Sequence, residues 1–217
     1  MLYRPARLFM WATSPILRRI LFSGKARVLL GIETFAEQAI PDSDAMMKKL
    51  ESALAELKER SPRHFRLVQN SIGRVAFERG GRCFYHPDLK ACVIDARTAR
   101  NVDPSWLALV LVHEAMHGRL LRAGIRHSSG RWERIESVCV RAELDLAESL
   151  SMPPEVLTML RHRIREPLQN SERTREWRES AVQDYGLPRW LAWLVFDLLG
   201  SGVVRSRPSR RRDHGRR

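Results

Sequence analysis

Apolar residues Met46, Met47, Leu50, Ala53, Leu54 and Leu57 recur at close to the α-helical period. They predict an amphipathic helix that starts after Pro41-Asp42-Ser43-Asp44 and stops at Ser61-Pro62. Upstream, over residues 8–30, Ile16, Leu17, Ile20 and Leu21 stand at helical spacing between basic positions. Helices lying in a membrane interface and helices packed on a domain surface share that pattern. The period changes from Phe65 to Asp95, where β-branched and aromatic residues are punctuated by Ser71, Gly80-Gly81 and Pro87-Asp88. Short strands are predicted at about 65–70, 73–78, 82–86 and 90–95, with Gly80-Gly81 as a hairpin turn. Asp103-Pro104 then opens a helix that runs through Trp106, Leu107, Leu109, Val110 and Val112 to Leu121 and ends at Gly124. The loop Gly124–Gly130 leads to a helix over about 131–150, which stops before Met152-Pro153-Pro154. Further helical stretches are expected at 154–166, at 171–184 and from Trp190 onward, with Trp190 and Trp193 in the core.

A helix, then a small antiparallel sheet, then more helices is an α+β order. The expected organisation is a basic amphipathic segment at 1–30, one domain at 31–204 with its core at about 65–150, and an Arg-rich disordered tail at 205–217. The chain of 217 residues has a formal charge of +13. Residues 1–27 hold six basic side chains and no acid, and residues 205–217 hold seven Arg and one Asp, so the two ends account for all but +1 of the excess. A near-neutral body argues against a nucleic-acid-binding face, while the ends predict weak contact with an anionic membrane surface. The cysteines Cys83, Cys92 and Cys139 are odd in number and lack CxxC spacing, so a reducing compartment, the cytoplasm, is expected. Residues 8–17 are too short to span a bilayer. Trp190–Val204, at 15 residues with Asp197 inside, reaches roughly 22 Å against a hydrocarbon core of about 30 Å.

The chemistry gathers at His113-Glu114-Ala115-Met116-His117. Histidines at i and i+4 leave one face of a helix a turn apart and fill two tetrahedral positions on a zinc ion. Glu114 projects about 100° away, where it serves as general base for a water whose pKa the metal lowers. With 7 His in the chain the bare pattern arises by chance about 0.02 times, so the flanks must support it. They do: Val110, Leu111, Val112, Ala115 and Met116 are all uncharged, as in a buried helix whose polar groups are ligands and base.

The segment resembles the zinc-binding helix of zincin metallopeptidases, and the Glu-bearing helix after it resembles the gluzincin branch. In particular it is similar to small bacterial proteins with a V-H-E-x-x-H-x-R-L segment followed by an E-x-x-C-x-x-x-E helix. Here those read Val112 to Leu120 and Glu136, Cys139, Glu143. Arg119 matches that segment but departs from the apolar residue usual near the end of the extended zincin motif. The resemblance covers about residues 65–150 and implies zinc, an antiparallel sheet beside the motif helix, and a cleft for an extended peptide.

The third ligand has several candidates. A metzincin needs Gly and His where Leu120 and Ala123 stand, so that branch fails. If 105–122 and 131–150 form an antiparallel pair, facing positions sum to about 253, which sets Glu136 opposite His117 and Glu143 opposite position 110. Glu136 is the preferred ligand. Glu143 is the preferred acceptor of the outer N–H of His113 or else an alternative ligand, and His127 and Cys139 stay open as further alternatives. A lone helical cysteine is most often a buried structural thiol. Tyr85, His86 and His127 are candidate donors to an oxyanion, and Lys90–Asp95 is a candidate edge along which a peptide adds as a strand. The expected function is zinc-dependent hydrolysis of a peptide or protein substrate. The rival readings are a non-catalytic, zinc-stabilised interaction or regulatory protein and a membrane-surface adaptor.

Overall fold

The computed structural model describes residues 24–37, 40–79, 83–125 and 131–165. The helical patterns expected over 8–23, 171–184 and from Trp190, the basic tail and His127 lie outside them. Leu30 and Gly31 both have positive φ, 48° and 87°, the conformation of a two-residue turn whose twist suits a hairpin. It joins strands β1 (Lys25–Leu29) and β2 (Ile32–Ala36), with Leu29 paired to Ile32 and Lys25 to Ala36. Residues 25–30 were expected to close a helical segment, so the boundary at residue 30 falls inside a β-hairpin.

Helix α1 (Ser43–Arg60) buries Met46, Met47, Leu50, Ala53, Leu54 and Leu57, the stripe its period predicts. Asp42 adopts a left-handed conformation and its side chain does not cap the helix. The strand expected at 65–70 is instead part of helix α2 (Pro62–Ser71). Pro62 occupies a first-turn position, where its missing N–H costs nothing, so it begins a helix as well as ending one. His64, Phe65, Val68 and Ser71 are its buried face, a helical spacing that overrides the strand propensity of Phe65 and Val68.

Strands β3 (Arg74–Glu78), β4 (Phe84–His86) and β5 (Ala91–Asp95) complete a five-stranded sheet in the order β1-β2-β3-β5-β4. The class is α+β, but the sheet is mixed where an antiparallel one was expected. β2 to β3 and β3 to β5 pair in parallel, while β1 to β2 and β5 to β4 pair antiparallel. The parallel step from β2 to β3 follows from α1 and α2 between them, a crossover that returns the chain in the same direction. β3 and β4 lie on opposite sides of β5, so these two strands do not pair with each other as expected, and the expected turn at Gly80-Gly81 lies outside the described residues. The tight turn is Pro87–Lys90 between β4 and β5, with Lys90 at φ 48°. β5 is therefore an interior strand, buried at every residue, and the free edge beside it is β4.

Helix α3 (Ala96–Asn101) is capped by Asp95, whose carboxylate accepts from Thr98 N at 2.9 Å. Lys49 of α1 donates to the carbonyls of Ala99, Arg100 and Val102 at its far end. Helix α4 (Pro104–Arg122) begins as its sequence predicts, with Asp103 accepting from Trp106 N at 2.9 Å and Pro104 at the first position. It packs against α1, α2, the β4 and β5 end of the sheet, and helix α5 (Trp132–Ser149). Leu107, Leu109 and Leu111 are at most 1% exposed, and each contributes roughly 1.5–3 kcal/mol by leaving water. Helix α6 (Pro154–Arg165) packs on α5 through the buried Leu160. No described helix is long and apolar enough to cross a membrane.

Candidate metal centre

Being surrounded on several sides, α4 buries even its polar residues: His113 is 7% exposed, Glu114 4% and His117 5%. One turn later Gly118 admits the ring of Tyr85 from β4. A Cβ at Gly118 would stand 2.9 Å from that ring and 3.2 Å from the Ser71 carbonyl oxygen. Any side chain there would push the sheet edge away from the helix that carries the histidines. From α5, Glu136, Cys139 and Glu143 are all buried on the face turned toward α4, at helical spacing.

The two imidazoles meet. His117 Nε2 lies 3.0 Å from His113 Nε2, with the rings edge to face. The Glu136 carboxylate closes the third side, with Oε1 3.4 Å from His117 Nε2 and Oε2 3.6 Å from His113 Nε2. Bonds of about 2.0–2.2 Å to a tetrahedral metal ion hold donors roughly 3.3–3.6 Å apart, so the two carboxylate separations suit a first shell, while the two imidazole nitrogens at 3.0 Å stand closer than such a shell holds them. The outer nitrogens point the other way. Nδ1 of His113 is bonded to Glu143 Oε1, and Nδ1 of His117 lies 3.5 Å from Cys139 Sγ. The facing rule that put Glu143 opposite position 110 is thus off by about one turn at that end. Glu143 meets His113, and Glu136 lies between the levels of the two histidines.

The buried group His113, His117 and Cys139 has ligand atoms within 4.8 Å of one another and can hold a metal ion. Two donor sets therefore share the histidines, one completed by Glu136 on the Nε2 side and one by Cys139 at Nδ1 of His117.

Electrostatics mark the cluster. Burial alone pushes the His113 pKa down, but the Glu136 and Glu143 carboxylates, with the charge of Glu114, outweigh it and raise the value to about 10. Burial also lifts the Cys83 thiol to about 12 and Cys92 well above its usual range, and the charge of Glu114 adds to both shifts. The charge of Glu114 thus acts on His113 on one side and on the thiols of Cys83 and Cys92 on the other.

The candidate oxyanion donors on β4 are placed differently. Tyr85 packs on Gly118 and donates its hydroxyl to the Ser71 carbonyl at 3.3 Å, while His86, the next residue, projects to the opposite face of the strand. Neither stands among the donors around His113 and His117. One member of the cluster had not been singled out from the sequence: Arg163 of α6 donates to Glu143 Oε2 at 2.9 Å. Extending the facing rule across the turn at 150–154 makes positions sum to about 304 and brings Arg163 within two residues of Glu143, so a signal was present. No family model, no curated protein and no solved structure matches the chain.

Proposed function

We propose that the chain is a zinc-dependent hydrolase of peptide bonds, with Nε2 of His113, Nε2 of His117 and the carboxylate of Glu136 as ligands and Glu114 as general base. The observation that carries this reading is the convergence of two imidazole nitrogens 3.0 Å apart and one carboxylate on a single buried point. Cys139 meets His117 at its outer nitrogen, so it serves the ring from behind. Charge balance supports a divalent ion. With Glu114, Glu136 and Glu143 ionised the centre holds three buried negative charges, of which Arg163 offsets one and a divalent cation the other two. Two imidazoles and one carboxylate form a donor set that suits zinc better than the oxygen-seeking magnesium or calcium.

When bound, zinc polarises the substrate carbonyl and makes water more acidic. Glu114 takes the proton of the attacking water and delivers it to the amide nitrogen as the C–N bond breaks, so the carboxylate is regenerated. Glu143 keeps His113 in the Nδ1–H tautomer, which leaves the Nε2 lone pair on the ligand side. The substrate class is an unstructured peptide segment.

Two measurements test the reading. The purified full-length chain should carry about one zinc per chain, and His117→Ala should carry far less. Glu114→Gln should keep its zinc while hydrolysis of an unfolded protein substrate drops by about 100-fold or more. Zinc content that His117→Ala leaves unchanged ends the proposal. One further observation favours a second reading: every proposed ligand and the base is 8% exposed or less, as in a closed, structural metal site. A zinc-stabilised interaction protein would hold the same metal and show no turnover in either wild type or Glu114→Gln.

A further inference from the structure

Glu143 divides its two carboxylate oxygens between partners on different helices. Oε1 bonds His113 Nδ1 on α4, and Oε2 accepts from Arg163 Nη1 on α6 at 2.9 Å. The Glu143 side chain is 5% exposed and that of Arg163 35%, so a guanidinium reaching in from the protein's rim pairs with a carboxylate that water barely touches. A second ion pair joins the same two helices, Arg161 to Glu148 at 3.0 Å, but its side chains are about half exposed. Solvent-screened pairs of that kind contribute little to stability. The two arginines, two residues apart on one helix, thus make one pair that ends in solvent and one that ends at the metal centre.

We propose that Arg163 is a positioning residue of the metal centre. The inference rests on the zinc reading and extends it to α6. A carboxylate bonded to one imidazole alone is free to rotate about its last side-chain torsion. A guanidinium on the second oxygen fixes the carboxylate plane and keeps Oε1 on the Nδ1–H of His113. That bond sets the ring's tautomer and aims Nε2 at the ligand site. The third helix of the bundle is then a working part of the centre, because displacing α6 from α5 withdraws the arginine and loosens a ligand it never touches.

The test uses the full-length chain and zinc alone, with affinity read by competition against a chromophoric chelator and geometry by the visible absorption of the cobalt(II)-substituted protein. Arg163→Ala should weaken zinc binding about tenfold, the lower end of what loss of an outer-sphere partner costs, and should shift the cobalt spectrum. Arg163→Lys should recover part of the loss, because it restores the charge but not the planar donor. Arg161→Ala should change affinity less than twofold. In a Glu143→Gln background, Arg163→Ala should add no further loss. If Arg163→Ala also weakens folding, that background and Arg163→Lys decide: equal losses with and without the Glu143 carboxylate mean that the arginine acts through helix docking, which overturns the inference. Wild-type affinity and spectrum in Arg163→Ala would overturn it while leaving the zinc reading in place, whereas a wild type that takes up no zinc would overturn both.

Discussion

His64 and His113 are both buried, each bonded through one ring nitrogen and facing a carboxylate across the other, yet their environments drive them in opposite directions. His64 Nδ1 lies 2.7 Å from Ser61 Oγ and its Nε2 3.5 Å from Asp145 Oδ2. Burial lowers its pKa and the charge of Arg63 lowers it further, which Asp145 does not overcome. Asp145 is about half exposed and paired with Arg63, so water and a cation have already spent its field. The carboxylates around His113 are themselves buried, and there the same kind of contact outweighs desolvation. Residue types therefore do not identify a site. Ser61, His64 and Asp145 supply the side chains of a hydrolytic triad, but Ser61 is 4% exposed at the start of α2 and its hydroxyl serves the local turn. The His113 cluster differs in gathering three buried carboxylates, those of Glu114, Glu136 and Glu143, around its imidazoles, with a single arginine paired to one of them.

The largest test of that contrast replaces each histidine in turn. His113→Ala should reduce zinc affinity by 100-fold or more, through loss of both a ligand and the contact of Glu143, while His64→Ala should leave it within about twofold. Zinc binding that is equally sensitive at both positions would erase the distinction.

A second test uses pH on the zinc-free protein, after chelation. The His113 pKa is raised above its ordinary 6.5 to about 10, so its contribution to stability is complete below pH 6.5 and is lost as pH rises toward 10. The His64 pKa is lowered, so its contribution is present above pH 6.5 and is lost as pH falls below that value, when the unfolded chain takes up the proton first. Melting temperature against pH should therefore decline on both sides of neutrality. His113→Gln should flatten the alkaline limb and His64→Gln the acid limb; a single variant that flattens both would contradict the assignment. The smallest effect is expected from Ser61→Ala, which strands the buried Nδ1 of His64 and should cost about 1–3 kcal/mol of stability with no change in zinc affinity.

Where contacts are local in sequence, they were legible. Two histidines at i and i+4, a capped start at Asp103-Pro104 and acidic residues spaced along one face of α5 are consequences of helical period alone. A short link between two helices then fixes their facing positions to within about a turn, which brought Glu136 and Glu143 beside the histidines. The strands were legible only as segments. The run Arg74–Glu78 and the run Ala91–Asp95 read correctly as strands, but nothing within either shows that β5 inserts beside β3 and leaves β4 at the edge. The helical register of Pro62–Ser71 was hidden because Phe65 and Val68 suit a strand as readily as a helix, and Leu30-Gly31 carries a turn with only one residue that advertises it.

By itself, then, the sequence determined the chemistry on offer: which residues can bind a metal, on which helices, and on which faces. Periodicity and capping act over a few residues and leave their mark in the order of the chain. The tertiary structure decided which nitrogen of each imidazole faces inward, that Cys139 stands behind His117, that β5 is interior, and that Arg163 reaches Glu143 from a third helix. Those outcomes depend on strand pairing and on the docking of α6 against α5, where partners far apart in sequence compete for the same buried surface and only packing of the whole selects among them.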